Sequence, residues 1–192
     1  MYFWQQVYMD IEIVEKVLKG DIDAFSQIID KYEKMIYNLA YRIFNNTTDA
    51  EDITQEVFIK VYKNLYKCEG KQSIKTWIYT IAYNTCIDEV RKRKGKNNIS
   101  IDMEIEGEEN SFSLNIPSNE PTPESALIQK EELLEIEQAI NSLNEINKSL
   151  IFLRDIKGFS YNEISEIMGL NIGTVKSRLN RARNALKNIL KI

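Results

Sequence analysis

Pro117, Pro121 and Pro123 are the only prolines in a chain of 192 residues. Proline breaks helices because its ring removes an amide donor and clashes with the preceding turn. Its confinement to one stretch leaves long helix-permissive segments on either side. The stretch itself, "NNISIDMEIEGEENSFSLNIPSNEPTPES" (residues 97–125), holds seven acids, no base, and many Asn and Ser. It sustains neither a helical nor a strand period, and its composition favours a solvated linker. About 30 residues reach roughly 100 Å when fully extended and about 30 Å root-mean-square when flexible. The expectation is two pieces, residues 10–96 and 127–192, joined by an acidic tether at 97–126.

Both pieces read as helical. In "DAFSQIIDKYEKMIYNLAYRIF", Phe25, Ile28, Ile29, Tyr32, Ile36, Leu39, Ala40 and Ile43 recur at three- and four-residue steps, the mark of one apolar helix face. "TDAEDITQEVFIKVYKNLY" carries the stripe Ile53, Val57, Val61 and Leu65. Thr48, with Glu51 three residues on, is the expected capping box at its start. "SIKTWIYTIAYNTCIDEVRKRKGK" places Ile74, Trp77, Ile78, Ile81, Ala82, Thr85 and Val90 near one side and ends in a basic run. Trp77 falls on the apolar spacing and is expected in the core, whereas Tyr79 and Tyr83 are expected to be more exposed. No strand-type alternation is sustained, so the expected fold is all-α.

The second piece has a sharper signature. Ser160 and Glu163 fit a capping box at "SYNEISEIMG", Ile164 and Ile167 supply a buried face, and Gly169 suits a left-handed helix end. "LNIGT" makes the turn. The next helix buries Val175, Leu179, Ala182, Leu186 and Ile189. Short helix, tight turn and second helix make a helix-turn-helix.

The formal net charge is −4, yet residues 173–191 are rich in lysine and arginine and contain no acid. A solvated amphipathic helix explains the cations at its C-terminal end, Lys187 and Lys191, because they suit the helix dipole there. It does not explain cations in the first turns, where the dipole disfavours them. Helix N-terminal residues are the ones that reach base edges in a major groove. Thr174, Lys176, Ser177, Arg178, Asn180 and Arg181 are therefore the expected DNA contacts, with Lys and Arg suited to phosphates and to guanine O6 and N7.

Other function classes recede. Histidine is absent, which removes imidazole catalysis and the commonest zinc ligand. Cys68 and Cys86 lack metal-ligand spacing and read as reduced bystanders. No glycine-rich phosphate loop is present, so no cofactor, metal or enzymatic activity is expected. No apolar run approaches the ~20 residues of a membrane span. "MYFWQQVYMD" lacks the basic start and small-residue cleavage site of a signal peptide. Met9 opens an ordinary helix start, so residues 1–8 read as an upstream extension and the chain as cytoplasmic.

"SYNEISEIMGLNIGTVKSRLNRARNAL" resembles region 4 of the extracytoplasmic-function (ECF) sigma factors, the promoter-specificity subunits of bacterial RNA polymerase. The first piece is similar to region 2 of that family through "DAFSQIIDKYEKMIYNLAYRIF", "DAEDITQEVFIKVY" and "SIKTWIYTIAYNTCIDEVRKRK". The resemblance covers nearly the whole chain apart from the first residues and the tether.

The resemblance implies that Asp49, Glu51, Asp52, Gln55 and Glu56 face the clamp helices of the polymerase β′ subunit. Acids in a first helical turn are also stabilising without any partner, so Gln55 and Glu56 carry more weight. It implies that "KCEGKQS" (67–73) and the following helix capture the displaced strand of the −10 element. Cys68 would sit in that loop, Asn84 would read a base, and Lys71, Lys75, Arg91 and Arg93 would follow phosphates. Thr174 to Arg181 would read the −35 element. Apolar surface near Ile151, Phe152 and Leu153 would dock on the β flap, with ordinary core packing as the alternative. An anti-sigma factor is implied as a partner.

Departures concern detail. Cys68 stands where many relatives have a bulky residue. Thr80 and Tyr83 replace two frequent cations, Lys176 stands where Arg is frequent, and Asn180 where some relatives carry an aromatic residue. Two other readings remain open at this point: a stand-alone helix-turn-helix repressor, and a protein that only sequesters polymerase or another sigma factor.

Overall fold

The structure is a computed structural model that describes residues 11–68, 73–96 and 134–190. Every described element is a helix. The order is α1 (residues 11–18), α2 (Ile22–Phe44), α3 (Thr47–Asn64), a 3-10 turn (Leu65–Lys67), α4 (Ile74–Lys96), α5 (134–141), α6 (Glu145–Ile151), a π-helical turn (Phe152–Ile156), α7 (Tyr161–Met168) and α8 (Ile172–Leu190). The tether expected at 97–126 and the extension at 1–8 lie outside the described residues.

Two adjacent asparagines join α2 to α3. Asn45 adopts φ 50°, a left-handed conformation that Asn tolerates, and its amide bonds back to Tyr41 O at 2.8 Å. Asn46 is then the N-cap of α3, its side chain accepting from the Asp49 amide at 3.0 Å. The cap expected from Thr48 and Glu51 is thus made by Asn46. Four polar residues in succession, Asn45 to Thr48, all have capping chemistry, and the left-handed turn at Asn45 selects the second.

The inward faces of α2 and α3 follow the expected stripes, with Ile29 alone only half-buried. Helix α4 behaves differently. Ile74, Thr76, Trp77, Ile78, Tyr79, Ala82, Tyr83, Thr85 and Cys86 are all buried, which is more than one face of a helix. A helix buried all round lies in the middle of its fold. Helices α2 and α3 pack on one side of α4 and α7 packs on the other. Tyr79 and Tyr83, expected to be exposed, are interior residues for this reason.

One hydrophobic core accordingly runs through both halves. Its seam is built around Phe159. The π-helical turn ends with the Lys157 amide bonded to Phe152 O at 2.9 Å, and Gly158 at φ 72° reverses the chain. Phe159 then lies edge-on to Tyr79, with ring centroids 4.8 Å apart, and the Lys75 ammonium sits 4.4 Å from its ring. Arg42 of α2 meets Glu137 of α5 at 3.3 Å, with the two side chains only 10% and 13% exposed. Lys94 reaches Glu145 at 3.5 Å. The Tyr79 hydroxyl is buried without a hydrogen-bond partner among the described residues, and burial raises its pKa.

Ile151, Phe152 and Leu153 are buried in this core. Of the two readings of that segment, ordinary packing is the one observed, and the three side chains present no docking surface. Ile189, expected in the buried stripe of α8, is exposed, whereas Leu186 is half-buried against the edge of the core.

Candidate nucleic-acid interface

Helices α7 and α8 form the expected helix-turn-helix. Ser160 and Glu163 make both halves of a capping box: the Glu163 amide donates to Ser160 Oγ at 3.2 Å, and the Ser160 amide donates to Glu163 Oε2 at 2.8 Å. Gly169 closes α7 at φ 63°. The Ser165 hydroxyl donates to Leu170 O at 2.5 Å and ties the turn to α7. Asn171 Oδ1 accepts from the Thr174 amide at 2.7 Å and caps α8, which begins at Ile172, inside the expected turn at 170–174.

Val175, Leu179 and Ala182 anchor α8 on the core. The opposite side leaves Lys176, Ser177, Asn180 and Arg181 exposed, with Thr174 and Arg178 half-buried at the flanks. Ser177 Oγ donates to Thr174 O at 3.1 Å. Arg178 points toward the seam, where its charge, with that of Arg91, partly offsets the effect of burial on Tyr83. Burial still pushes the Tyr83 phenol up to about 12.

Two cations that support this surface, Arg183 and Arg154, were not singled out in the sequence. Arg183 holds Asp155 of the π-helical turn through both guanidinium and Nε contacts. Arg154 lies 4.8 Å from the Tyr161 ring and donates to Phe159 O at 2.8 Å. Lys176 lies 5.7 Å from the same ring. Tyr161 therefore gathers charge from the π-helical turn and from α8. Only the tertiary fold brings residues 154, 161, 176 and 183 together, so no spacing rule reveals them.

On the first half, Glu51, Asp52 and Gln55 are exposed along α3, while Glu56 is half-buried and pairs with Lys60 at 2.7 Å. Glu51 and Gln55 line a groove of about 290 Å³ with Thr54 and with Glu33, Lys34 and Tyr37 of α2. The α2 residues were missed; Glu33 and Tyr37 share a face at four-residue spacing outside the apolar stripe. Asp49 stands apart from this groove set, because both its carboxylate oxygens bond to Arg93 at 2.7 and 2.8 Å. The Arg93 guanidinium holds the Asp49 carboxyl below its ordinary range. Arg93 also bonds Glu89 at 3.1 Å and stacks on Phe44 at 4.9 Å.

The residues expected at the −10 strand are not gathered on one surface. Asn84 and Arg91 are exposed, Lys75 is committed to Phe159, Arg93 to Asp49, and Cys68 is half-buried. Lys71 lies outside the described residues. Cys86 is a core residue whose thiol burial pushes up to about 12. Among the described residues no group of three or more acidic or cysteine side chains could hold a metal ion, and no helix is long and apolar enough to cross a membrane.

Comparison with known proteins places this geometry. Residues 28–96 match the family described as Sigma-70 region 2, and residues 133–186 match Sigma-70, region 4. The ECF RNA polymerase sigma factor SigW of Bacillus subtilis is 38% identical over 179 residues, covering 93% of this chain and 95% of that protein. The ECF RNA polymerase sigma-E factor of Escherichia coli is 35% identical over 179 residues, covering 93% of each. Among solved structures, the sigma factor RpoE from Bartonella quintana, crystallised with the anti-sigma factor NepR, superposes with a TM-score of 0.65 at 26% identity, over 89% of this chain and 99% of that one. The helical order, the paired regions and the relatives at 35–38% identity agree: the chain belongs to the ECF RNA polymerase sigma factors.

Proposed function

We propose that this sigma factor docks on core RNA polymerase and reads two promoter elements with two helical modules, residues 10–96 and 127–192. The observation that carries the reading is the outward face of α8, where Lys176, Ser177, Asn180 and Arg181 stand exposed on a helix anchored by its opposite side. These residues, flanked by Thr174 and Arg178, contact the −35 element in the major groove. Glu51, Asp52, Gln55 and Glu56 meet the polymerase clamp, with Asp49 behind them. Asn84 reads the displaced −10 strand, while Lys71, Lys75, Arg91 and Arg93 follow its backbone near Cys68.

The seam bears on this reading. Lys75, Tyr79 and Tyr83 lie beneath the second half. Reading both elements at once therefore requires the halves to part, with the tether at 97–126 spanning the gap. The NepR-bound relative supports control by an anti-sigma factor that favours one arrangement over the other. The chain works in the cytoplasm and contributes no catalytic group of its own; RNA synthesis belongs to the polymerase.

The test is to add purified chain to core polymerase on a promoter-bearing template. Promoter-dependent transcripts support the reading. Operator occupancy without core supports a repressor, and inhibition alone supports sequestration; either outcome overturns it.

A further inference from the structure

Arg42 with Glu137 and Lys94 with Glu145 are ion pairs that cross the seam between the halves. Elsewhere on the seam the charge is of one sign. Lys157, at the end of the π-helical turn, feels Lys75 from the start of α4 and Lys34 and Arg42 from α2, all of them cations. Rings of one short segment hold the two closest to the joint. The Lys75 ammonium lies 4.4 Å from the Phe159 ring, and the Lys157 ammonium lies 5.2 Å from the Phe152 ring. Both lysines are half-buried, and neither has a carboxylate partner among the described residues. Arg42 is committed to Glu137, and Lys34 borders the groove that Glu33 and Glu51 also line. Burial first, and then these like charges, pull the Lys157 ammonium below the ordinary lysine range.

Like charges facing each other in partly dry surroundings repel more than they do in water. The halves therefore push apart here unless a counter-ion lies between them. Lys75 also stands in the first turn of α4, which carries no acid and where the helix dipole disfavours a cation and favours an anion. A phosphate group suits both features, because it accepts charge-assisted bonds from several ammonium groups at once. We infer that Lys75 and Lys157, with the first turn of α4, form a site for a multiply charged phosphate anion that bridges the closed halves. The ligand class is pyrophosphate or the polyphosphate group of a nucleotide. The functional consequence rests on the reading above, in which the halves must part: an anion seated here holds them together.

The test uses the full chain without core polymerase or DNA, and inorganic pyrophosphate against sodium chloride of equal ionic strength. At about five times its Kd, pyrophosphate should raise the melting midpoint by about 2–4 °C in a chain of this size. The radius of gyration from small-angle scattering should fall as the halves close. Lys157→Gln should lose the response, whereas Lys187→Gln, on the exposed end of α8, should keep it. Lys157→Glu supplies the missing counter-charge itself, so it should melt at or above the parent in chloride and ignore pyrophosphate. ATP without magnesium should act as pyrophosphate does; a response to ATP alone overturns a site built for the phosphate group. Equal shifts in the parent and Lys157→Gln, equal loss in Lys187→Gln, or a destabilised Lys157→Glu also overturn it. A raised midpoint with no change in the radius of gyration overturns the bridge. None of these outcomes touches the promoter reading, which transcription with core polymerase tests separately.

Discussion

Arg93 grips both carboxylate oxygens of Asp49, joining the basic end of α4 to the first turn of α3 across 44 residues of sequence. The fork geometry is the strong form of an ion pair. It links a residue expected at DNA to one expected at polymerase, so the two surfaces share a joint. The same guanidinium lies on Phe44 and bonds Glu89, which fixes it further.

This joint predicts a specific acid response. The Asp49 carboxyl is held below its ordinary range, first by hydrogen bonding to Arg93. A carboxylate with a depressed folded pKa contributes stability above its unfolded pKa, near 3.9, and loses it as pH falls through the lower folded value. Asp49→Asn should therefore melt below the parent at neutral pH, and the gap should close only as the pH falls below about 4. Thermal unfolding from pH 2 to 7 measures it; a gap independent of pH would show that the pair does not contribute through its charge.

At the seam, Phe159→Ala removes the ring that touches both Tyr79 and Lys75. Truncating a buried Phe typically costs about 3–5 kcal/mol. Because Phe159 bridges the halves, the radius of gyration in solution should also increase. Tyr79→Phe should behave oppositely. Its hydroxyl is buried without a partner, and removing such a group is neutral or stabilising by up to about 1–3 kcal/mol. Chemical denaturation with small-angle scattering tests both.

Arg42 and Glu137 meet in a largely dry site between α2 and α5. Breaking such a pair from one side leaves a buried charge, at a cost of roughly 3 kcal/mol. Glu137→Ala should thus destabilise more than the Arg42→Met/Glu137→Leu pair, which removes both charges. A double-mutant cycle followed by thermal melts decides it, and equal losses in both variants would contradict the account.

On α8, Arg181→Ala should cost roughly 1–3 kcal/mol of promoter affinity and relax preference at one −35 position. Lys187→Ala should weaken binding evenly across sequences. Holoenzyme binding to a panel of single-base promoter variants separates the two. Indistinguishable profiles would mean that neither side chain reads bases.

Legibility followed the range of the interaction. The stripes of α2 and α3, the Ser160–Glu163 box and the Gly169 stop are set by residues within a turn or two, and each reads directly from the chain. Tyr79 and Tyr83 did not, because their burial comes from α7, which packs on the side of α4 left over by α2 and α3. The Asn46 cap was hidden by three polar neighbours of similar chemistry. Arg93 on Asp49, Glu33 and Tyr37 beside Glu51, and the cations around Tyr161 are long-range meetings that no local period records. For recognition itself, the exposed side of α8 was legible by subtraction: once Val175, Leu179 and Ala182 are inward, Lys176, Asn180 and Arg181 have nowhere else to face.

The most direct measurement is position-specific crosslinking from residues 84 and 180 to one promoter fragment, with and without core polymerase. The account predicts two separate crosslinks, from 84 to the −10 element and from 180 to the −35 element, both dependent on core. Crosslinks that form equally well without core, or that fall together on a single DNA element, would contradict it.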